Sequence, residues 1–307
     1  MLTHRTRAVL LAILGVLLFS TKSIFAKLLY QQGVDYMSTL MLRMAFSVPI
    51  YLFILMSLKK PPTKIRGKDH FYLFLLGFVG YYLASYLDFR GLTYIKASLE
   101  RLILFIYPTL VILLSALLLK KHISNIQKIG VLITYLGILV VFLPELLQST
   151  ETDSQAVLTG GMLVFFSALT YSTYLVGSQW LIPKFGIRRF TAIAMIWSGL
   201  MVSIHFWMVI DSPSSLLRWN NEVYVLGLMM SIFSTVLPSF LISGAIHQLG
   251  AAQFSIFGSL GPVSTISLAY LFLEERLTGV QVIGSMIVIS GVMTAEYYGK
   301  KRAKASP

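Results

Sequence analysis

The stretch ASLERLILFIYPTLVILLSALLLKKHISNIQKIGVLITYLG, residues 97–137, returns 154 positions later as AAQFSIFGSLGPVSTISLAYLFLEERLTGVQVIGSMIVISG, residues 251–291. No gap is needed. Ala97 meets Ala251, Pro108 meets Pro262 and Leu119 meets Leu273. Gln127, Ile129 and Gly130 meet Gln281, Ile283 and Gly284, and Gly137 meets Gly291. Leucine and isoleucine matches arise cheaply, but proline, glutamine and two glycines in one register mark an internal duplication. Each copy holds two long apolar runs joined by a short charged link. The first link reads Lys120-Lys121-His122 and the second Glu274-Glu275-Arg276. Basic links stay on the cytoplasmic side of a bilayer. The exchange of basic for acidic residues therefore predicts that the two copies lie upside down relative to each other.

Working outward, the chain shows ten apolar runs: 8–30, 36–57, 70–92, 97–119, 125–143, 159–180, 190–210, 223–246, 252–273 and 279–298. Each is close to the roughly 20 residues that span a bilayer as a helix. They are too long for strands and lack alternation. The longest connections, 58–69 and 144–158, leave no room for a soluble domain. Ten spans in two copies give five per copy, an odd number that by itself inverts the second copy. The expected fold is an all-α membrane protein of ten transmembrane helices in two inverted five-helix repeats. The first repeat covers 1–143 and the second 159–298, with an outer linker at 144–158 and a basic tail at 299–307. Arg5 and Arg7 before an apolar run resemble a signal peptide. The apolar pattern continues past Lys22 and Lys27 with no small-residue cleavage site, so the segment is expected to stay as the first span.

Composition agrees. Hydrophobic residues make up 56% of the 307 and charged residues 12%, half the usual share of about 25% in soluble domains. That excludes a soluble enzyme, a disordered chain and a nucleic-acid-binding module, although the net charge is +13. With no cysteine, disulfides and thiol chemistry are excluded. The basic residues instead set orientation. With the N-terminus in the cytoplasm, seventeen lie on inner segments and only Lys96, Arg218 and Arg276 on outer loops. Both termini are expected in the cytoplasm, in a cell's inner membrane.

Five basic residues remain inside spans: Lys22, Lys27, Arg43, Arg90 and Arg101. Asp88 and Glu100 join them, all in the first repeat. Counting along the helices at about 1.5 Å per residue, Lys22 and Arg43 lie about 5 Å outward of the midplane and the others roughly 10–13 Å. A cation near the midplane costs about 2.5–3.5 kcal/mol even on a lenient scale, and such residues normally face the bundle interior. Lys22, flanked by Ser20, Thr21 and Ser23, is the first choice for substrate contact. Lys22→Ala is expected to abolish transport at normal membrane abundance. Arg43 suits either substrate contact or a bidentate clamp on Asp88 or Glu100. Five bases against two acids give the layer an excess of +3, which favours an anionic or zwitterionic substrate such as an amino acid. Tyr107, Tyr171 and Ser239 offer further polar groups, and Pro108 and Pro262 are expected helix breaks. These residues also have a bland reading, as snorkelling chains, ion pairs and packing kinks.

Several features resemble the drug/metabolite transporter superfamily, and within it the EamA-type ten-helix transporters. Leu42-Arg43-Met44 resembles that family's Leu-Arg-Phe in the second span. Pro108 and Pro262 sit in the fourth span of each repeat, and Glu275-Arg276-Leu277-Thr278 followed by Gln281 and Gly284 resembles the family's repeat end. The first repeat departs with Lys121-His122-Ile123-Ser124. The resemblance covers nearly the whole chain and implies an inner-membrane carrier of small metabolites. No motif for nucleotide binding, nucleophilic catalysis or metal ligation is present, so no enzyme activity, cofactor or metal is expected. Transport should then be secondary, by rocking of one half on the other. The expected partners are a small-molecule substrate and the lipid bilayer, not nucleic acid, and nothing sets an oligomeric state. A lipid flippase and a non-transporting membrane subunit are the alternative readings.

Overall fold

The computed structural model describes residues 4–58, 65–120, 122–148, 151–210, 213–258 and 260–303. Lys59, Lys60, Lys64, Lys121, Asp211 and the tail from Lys304 lie outside the described residues. Among the described residues, nine helices are long and apolar enough to cross a membrane, and a tenth, Gly279–Ala295, is a shorter apolar helix. In the first half they are α1 (Thr6–Gln31), α2 (Tyr36–Ser57), α3 (Gly67–Leu92), α4 (Ala97–Leu118) and α5 (Asn125–Pro144). The second half holds α6 (Asp153–Phe185), α7 (Ile187–Val209), α8 (Asn221–Leu249), α9 (Gln253–Leu273) and α10 (Gly279–Ala295). The helix of α10 runs on to Ala303. The stretch expected as a linker, 144–158, is mostly helical: it ends one helix, Asn125–Gln148, and begins the next, Glu151–Phe185.

Local chemistry sets the short turns. The Asp35 carboxylate accepts the Met37 and Ser38 N–H groups at 2.8 and 2.9 Å, capping α2. The Asn220 side chain likewise accepts from Val223 N–H at 3.0 Å and caps α8. Gly186 and Gly250 turn the chain between α6 and α7 and between α8 and α9, each at φ 76°, a left-handed conformation that glycine adopts without strain. Large apolar side chains such as Phe53, Met56, Leu117, Met208 and Leu271 point outward. In water that would be an aggregating surface, but in a bilayer it is solvated by lipid.

Helix packing carries the symmetry. α1 packs on α8 as α6 packs on α3, and α1 on α9 as α6 on α4. α2 packs on α7, and α5 on α10. Exchanging the two halves maps each contact onto another or onto itself, as a twofold axis requires. With five crossings per half, that axis lies in the membrane plane.

The α5–α10 seam packs backbone against backbone. Gly130 and Gly137 of α5 face Gly284 and Gly291 of α10, the glycines whose register revealed the duplication. A Cβ on Gly130 would strike the backbone of Ala295 and Gly291, and one on Gly291 the backbone of Thr134 and Gly130. Within lipid, such backbone contact through small residues holds helices together. Gly130→Leu is expected to lower the stability of the purified protein by at least about 1–3 kcal/mol through overpacking. An unchanged unfolding temperature in detergent would show that the seam does not hold the halves together.

Among the described residues, five of the spans are locally broken. α1 is interrupted at Thr21, between the helical pieces His4–Ser20 and Lys22–Gln31. α4 breaks at Phe105 and Ile106, so Pro108 restarts the helix rather than kinking it. α9 breaks at Gly258, two residues before Leu260 begins the piece that carries Pro262. α3 and α8 each contain a π-helical turn, at Phe78–Leu83 and Ile232–Val236. The two π turns start 154 positions apart, in the register of the duplication. Such bulges accumulate at functional sites, and both contribute lining residues to one cavity.

Candidate functional site

Four of the broken spans, α1, α3, α4 and α8, border a cavity of about 30 Å³, room for about two water molecules. α1 contributes Phe19 and Lys22, and α2 contributes Arg43. The π turn of α3 gives Gly80 and Tyr81, followed by Ala84 and Ser85; α8 gives Ser234, Thr235, Ser239 and Ile242. Leu104, Ser167, Tyr171 and Met195 close the walls. Both halves therefore line one chamber. In the 154 register Gly80 pairs with Ser234, Tyr81 with Thr235 and Ser85 with Ser239. Asp88 pairs with Ile242, Glu100 with Phe254 and Arg101 with Ser255. The chamber is symmetric in backbone and hydroxyls, and its charge belongs to the first repeat.

Lys22 is buried, with Nζ 2.5 Å from Asp88 Oδ2 and 4.0 Å from Glu100 Oε1. The break at Thr21 lets the helix restart with Lys22 turned toward these acids. The Thr21 hydroxyl is itself held by Leu18 O at 2.7 Å and Ser234 Oγ at 3.1 Å. Ser23 Oγ donates to Glu100 Oε2 at 2.6 Å. Arg101, also buried, donates from Nη2 to Ser20 Oγ at 3.0 Å. Gly261 makes room for it, since a Cβ there would run into the guanidinium. Lys22 and Arg101 flank the Phe19 ring at 4.8 and 5.5 Å from its centroid. Lys22 and Arg43 share the Phe89 ring at 5.9 and 5.0 Å. Aromatic faces partly solvate cations in a dry interior.

Arg43 departs from the clamp reading. It is 3% exposed, yet it makes no ion pair among the described residues, and its Nε and Nη2 have no hydrogen-bond partner. Its backbone is firmly placed, because Arg43 O accepts from Ser47 Oγ at 2.6 Å and from Ser231 Oγ at 2.8 Å. Lys22, not Arg43, holds the carboxylates. A buried guanidinium without a direct ion pair is costly, and this one borders the chamber.

The sequence layer also contracts. Arg90 lies at the half-exposed edge, donating to Tyr86 OH at 2.8 Å. Lys27 shares a peripheral pocket with Tyr30, Gln31, Leu273 and Glu275. The buried core is then three cations against two carboxylates, an excess of +1 in place of +3. Of the remaining sequence candidates, Tyr171 borders the chamber and stacks on Phe19 at 5.9 Å. Tyr107 stands behind it, edge-on to Tyr171 at 5.5 Å. Ser239 borders the chamber and is 2.8 Å from Tyr51 OH. Ser23, Asp88, Glu100 and Arg101 form the charged layer behind the wall. Sequence reasoning missed Tyr51, Tyr81, Ser85, Ser234 and Thr235. Extending the 154 register back to the third and eighth spans would have found the last four.

At one end of the bundle the halves are tied by Glu275, whose place in a repeat-end motif had no assigned role. Its carboxylate accepts from the N–H groups of Ala97 and Ser98, both at 2.9 Å, and from Ser98 Oγ at 2.6 Å. A carboxylate from the second half thus caps the N-terminus of α4. At the other end Lys184, at the close of α6, reaches Asp69, at the start of α3, at 2.6 Å.

Two copies of a family model, described as the EamA-like transporter family, match residues 6–143 and 158–295. The chain belongs to the EamA-like transporter family. It is accordingly a multi-pass membrane transporter of the drug/metabolite transporter superfamily, not an enzyme. The uncharacterized transporter YcbK of Bacillus subtilis is 28% identical over 298 residues, covering 95% of this EamA-like chain and 93% of that one. The uncharacterized transporter YyaM of the same organism is 26% identical and covers 82% of each. An uncharacterized transporter of Archaeoglobus fulgidus is 25% identical, covering 75% and 78%. One solved crystal structure shares the fold with a TM-score of 0.66 at 16% identity, over 96% of this EamA-like chain and 98% of that one.

Proposed function

We propose that this transporter carries a small carboxylate-bearing metabolite, an amino acid or a related zwitterionic or anionic compound, through the central chamber. The observation that carries the reading is Arg43: a buried, placed, unpaired guanidinium on a wall shared by both halves. Arginine presents a planar fork that matches a carboxylate. The hydroxyls of Ser85, Ser234, Thr235 and Ser239 on the same chamber would supply further hydrogen-bonding groups. Alternating access would come from rocking of the half at 1–143 against the half at 159–298. The charge distribution supports an inner-membrane location with both termini cytoplasmic. With no nucleotide-binding motif, transport would be secondary.

Thermal unfolding of purified protein against a panel of amino acids, organic acids and their uncharged amides tests this. A specific binder at a hundred times its Kd raises apparent stability by about 2.7 kcal/mol. Stabilisation by acids and not by their amides is the expected result. No stabilisation by any carboxylate, together with lipid scrambling by reconstituted protein, would replace the metabolite reading with a flippase.

A further inference from the structure

We infer that the cargo carries one net negative charge, and that the loaded chamber is electroneutral. Resting on the carboxylate reading above, the inference narrows it. Lys22, Arg43 and Arg101 are each 3% exposed, and Asp88 and Glu100 each 0%. They form one electrostatic unit: the Phe19 ring joins Lys22 to Arg101, the Phe89 ring joins Lys22 to Arg43, and both carboxylates lie on Lys22 Nζ. Asp88 lies at ion-pair distance from Lys22, and Glu100 accepts from Ser23. With both acids ionised, the unit is one negative charge short. The shortfall is located as well as counted: Asp88 Oδ1 and Oδ2 and Glu100 Oε1 also lack hydrogen-bond partners, but of these groups only Arg43, with its Nε and Nη2 unbonded, borders the chamber.

In a low-dielectric interior an uncompensated charge is penalised far more than in water. A monoanion on Arg43 brings the unit to neutrality. A neutral zwitterion supplies the same carboxylate but adds an ammonium, leaving the excess where it was. A dianion overshoots to a net negative unit. The chamber therefore selects on net charge and not only on the presence of a carboxylate.

Four compounds with the same branched skeleton and different charge test it: isovaleramide (neutral), valine (zwitterion), isovalerate (monoanion) and isopropylmalonate (dianion). Binding to the full-length purified protein is read by thermal unfolding at neutral pH. Isovalerate should bind at least about tenfold more tightly than any of the other three, a difference of about 1.4 kcal/mol. Preference for valine or isovaleramide overturns the inference. Preference for isopropylmalonate also overturns it, because the unit would then hold two uncompensated charges. If valine binds more tightly than isovalerate, the carboxylate reading stands while the charge inference fails. If none of the three acids binds, the carboxylate reading fails with it. Asp88→Asn raises the excess by one and should move the preference from isovalerate toward isopropylmalonate. The ranking in the unaltered protein decides the matter even if that variant does not fold.

Discussion

Arg43→Met should abolish cargo binding while leaving the protein at least as stable as before. Removing one partner of a buried, hydrogen-bonded charge pair costs about 2–5 kcal/mol of binding, thirtyfold or more in affinity. Folding without cargo runs the other way. The guanidinium is buried with no ion pair among the described residues and with its Nε and Nη2 unbonded, so methionine of similar length removes a desolvated cation and keeps the contact with Phe89. Replacing buried charge by an apolar residue is often neutral, or stabilising by up to about 4 kcal/mol. A residue that weakens the fold and enables binding is kept for its function. Binding and unfolding measured on the same preparation separate the cases. A variant that loses several kcal/mol of stability would show that Arg43 is structural.

Lys22→Ala should give the opposite pattern. Lys22 is the only group within ion-pair distance of Asp88 and Glu100 among the described residues. Removing it strands two carboxylates in a dry interior, and breaking a buried pair in this way typically costs about 3–5 kcal/mol. The sequence reading expected lost transport at normal abundance; the ion pair replaces that with a protein that accumulates poorly. Adding Asp88→Asn should restore part of the loss, because one stranded charge is then removed along with its partner. Unfolding temperatures of the single and double variants form the cycle. Full stability of Lys22→Ala alone would mean that the carboxylates are compensated elsewhere.

These two residues mark the limit of what the sequence makes legible. Span positions follow from apolar run length, and inversion from the odd repeat and the exchanged charges. The buried layer was visible because lysine and arginine are conspicuous among leucines. Which cation pairs with which acid was not visible. Both lie at similar depth, and pairing depends on helix rotation, which the break at Thr21 resets for Lys22. The π turns were hidden because inserting one residue into a turn leaves the hydrophobic pattern nearly intact. Glu275 was quoted as part of a motif, but its partners, Ala97 and Ser98, lie 178 and 177 positions away. Only the fold brings a cap from one half onto a helix of the other.

That cap has a kinetic consequence. Three hydrogen bonds to one carboxylate share a single side chain, so separating the halves at that end cannot release them one by one. Bonds to a charged group contribute about 1.5–3 kcal/mol each, and they must fail together. The junction would behave as a detent: it stabilises this conformer and lengthens the dwell in it. Turnover would then be timed by a carboxylate that never meets the cargo.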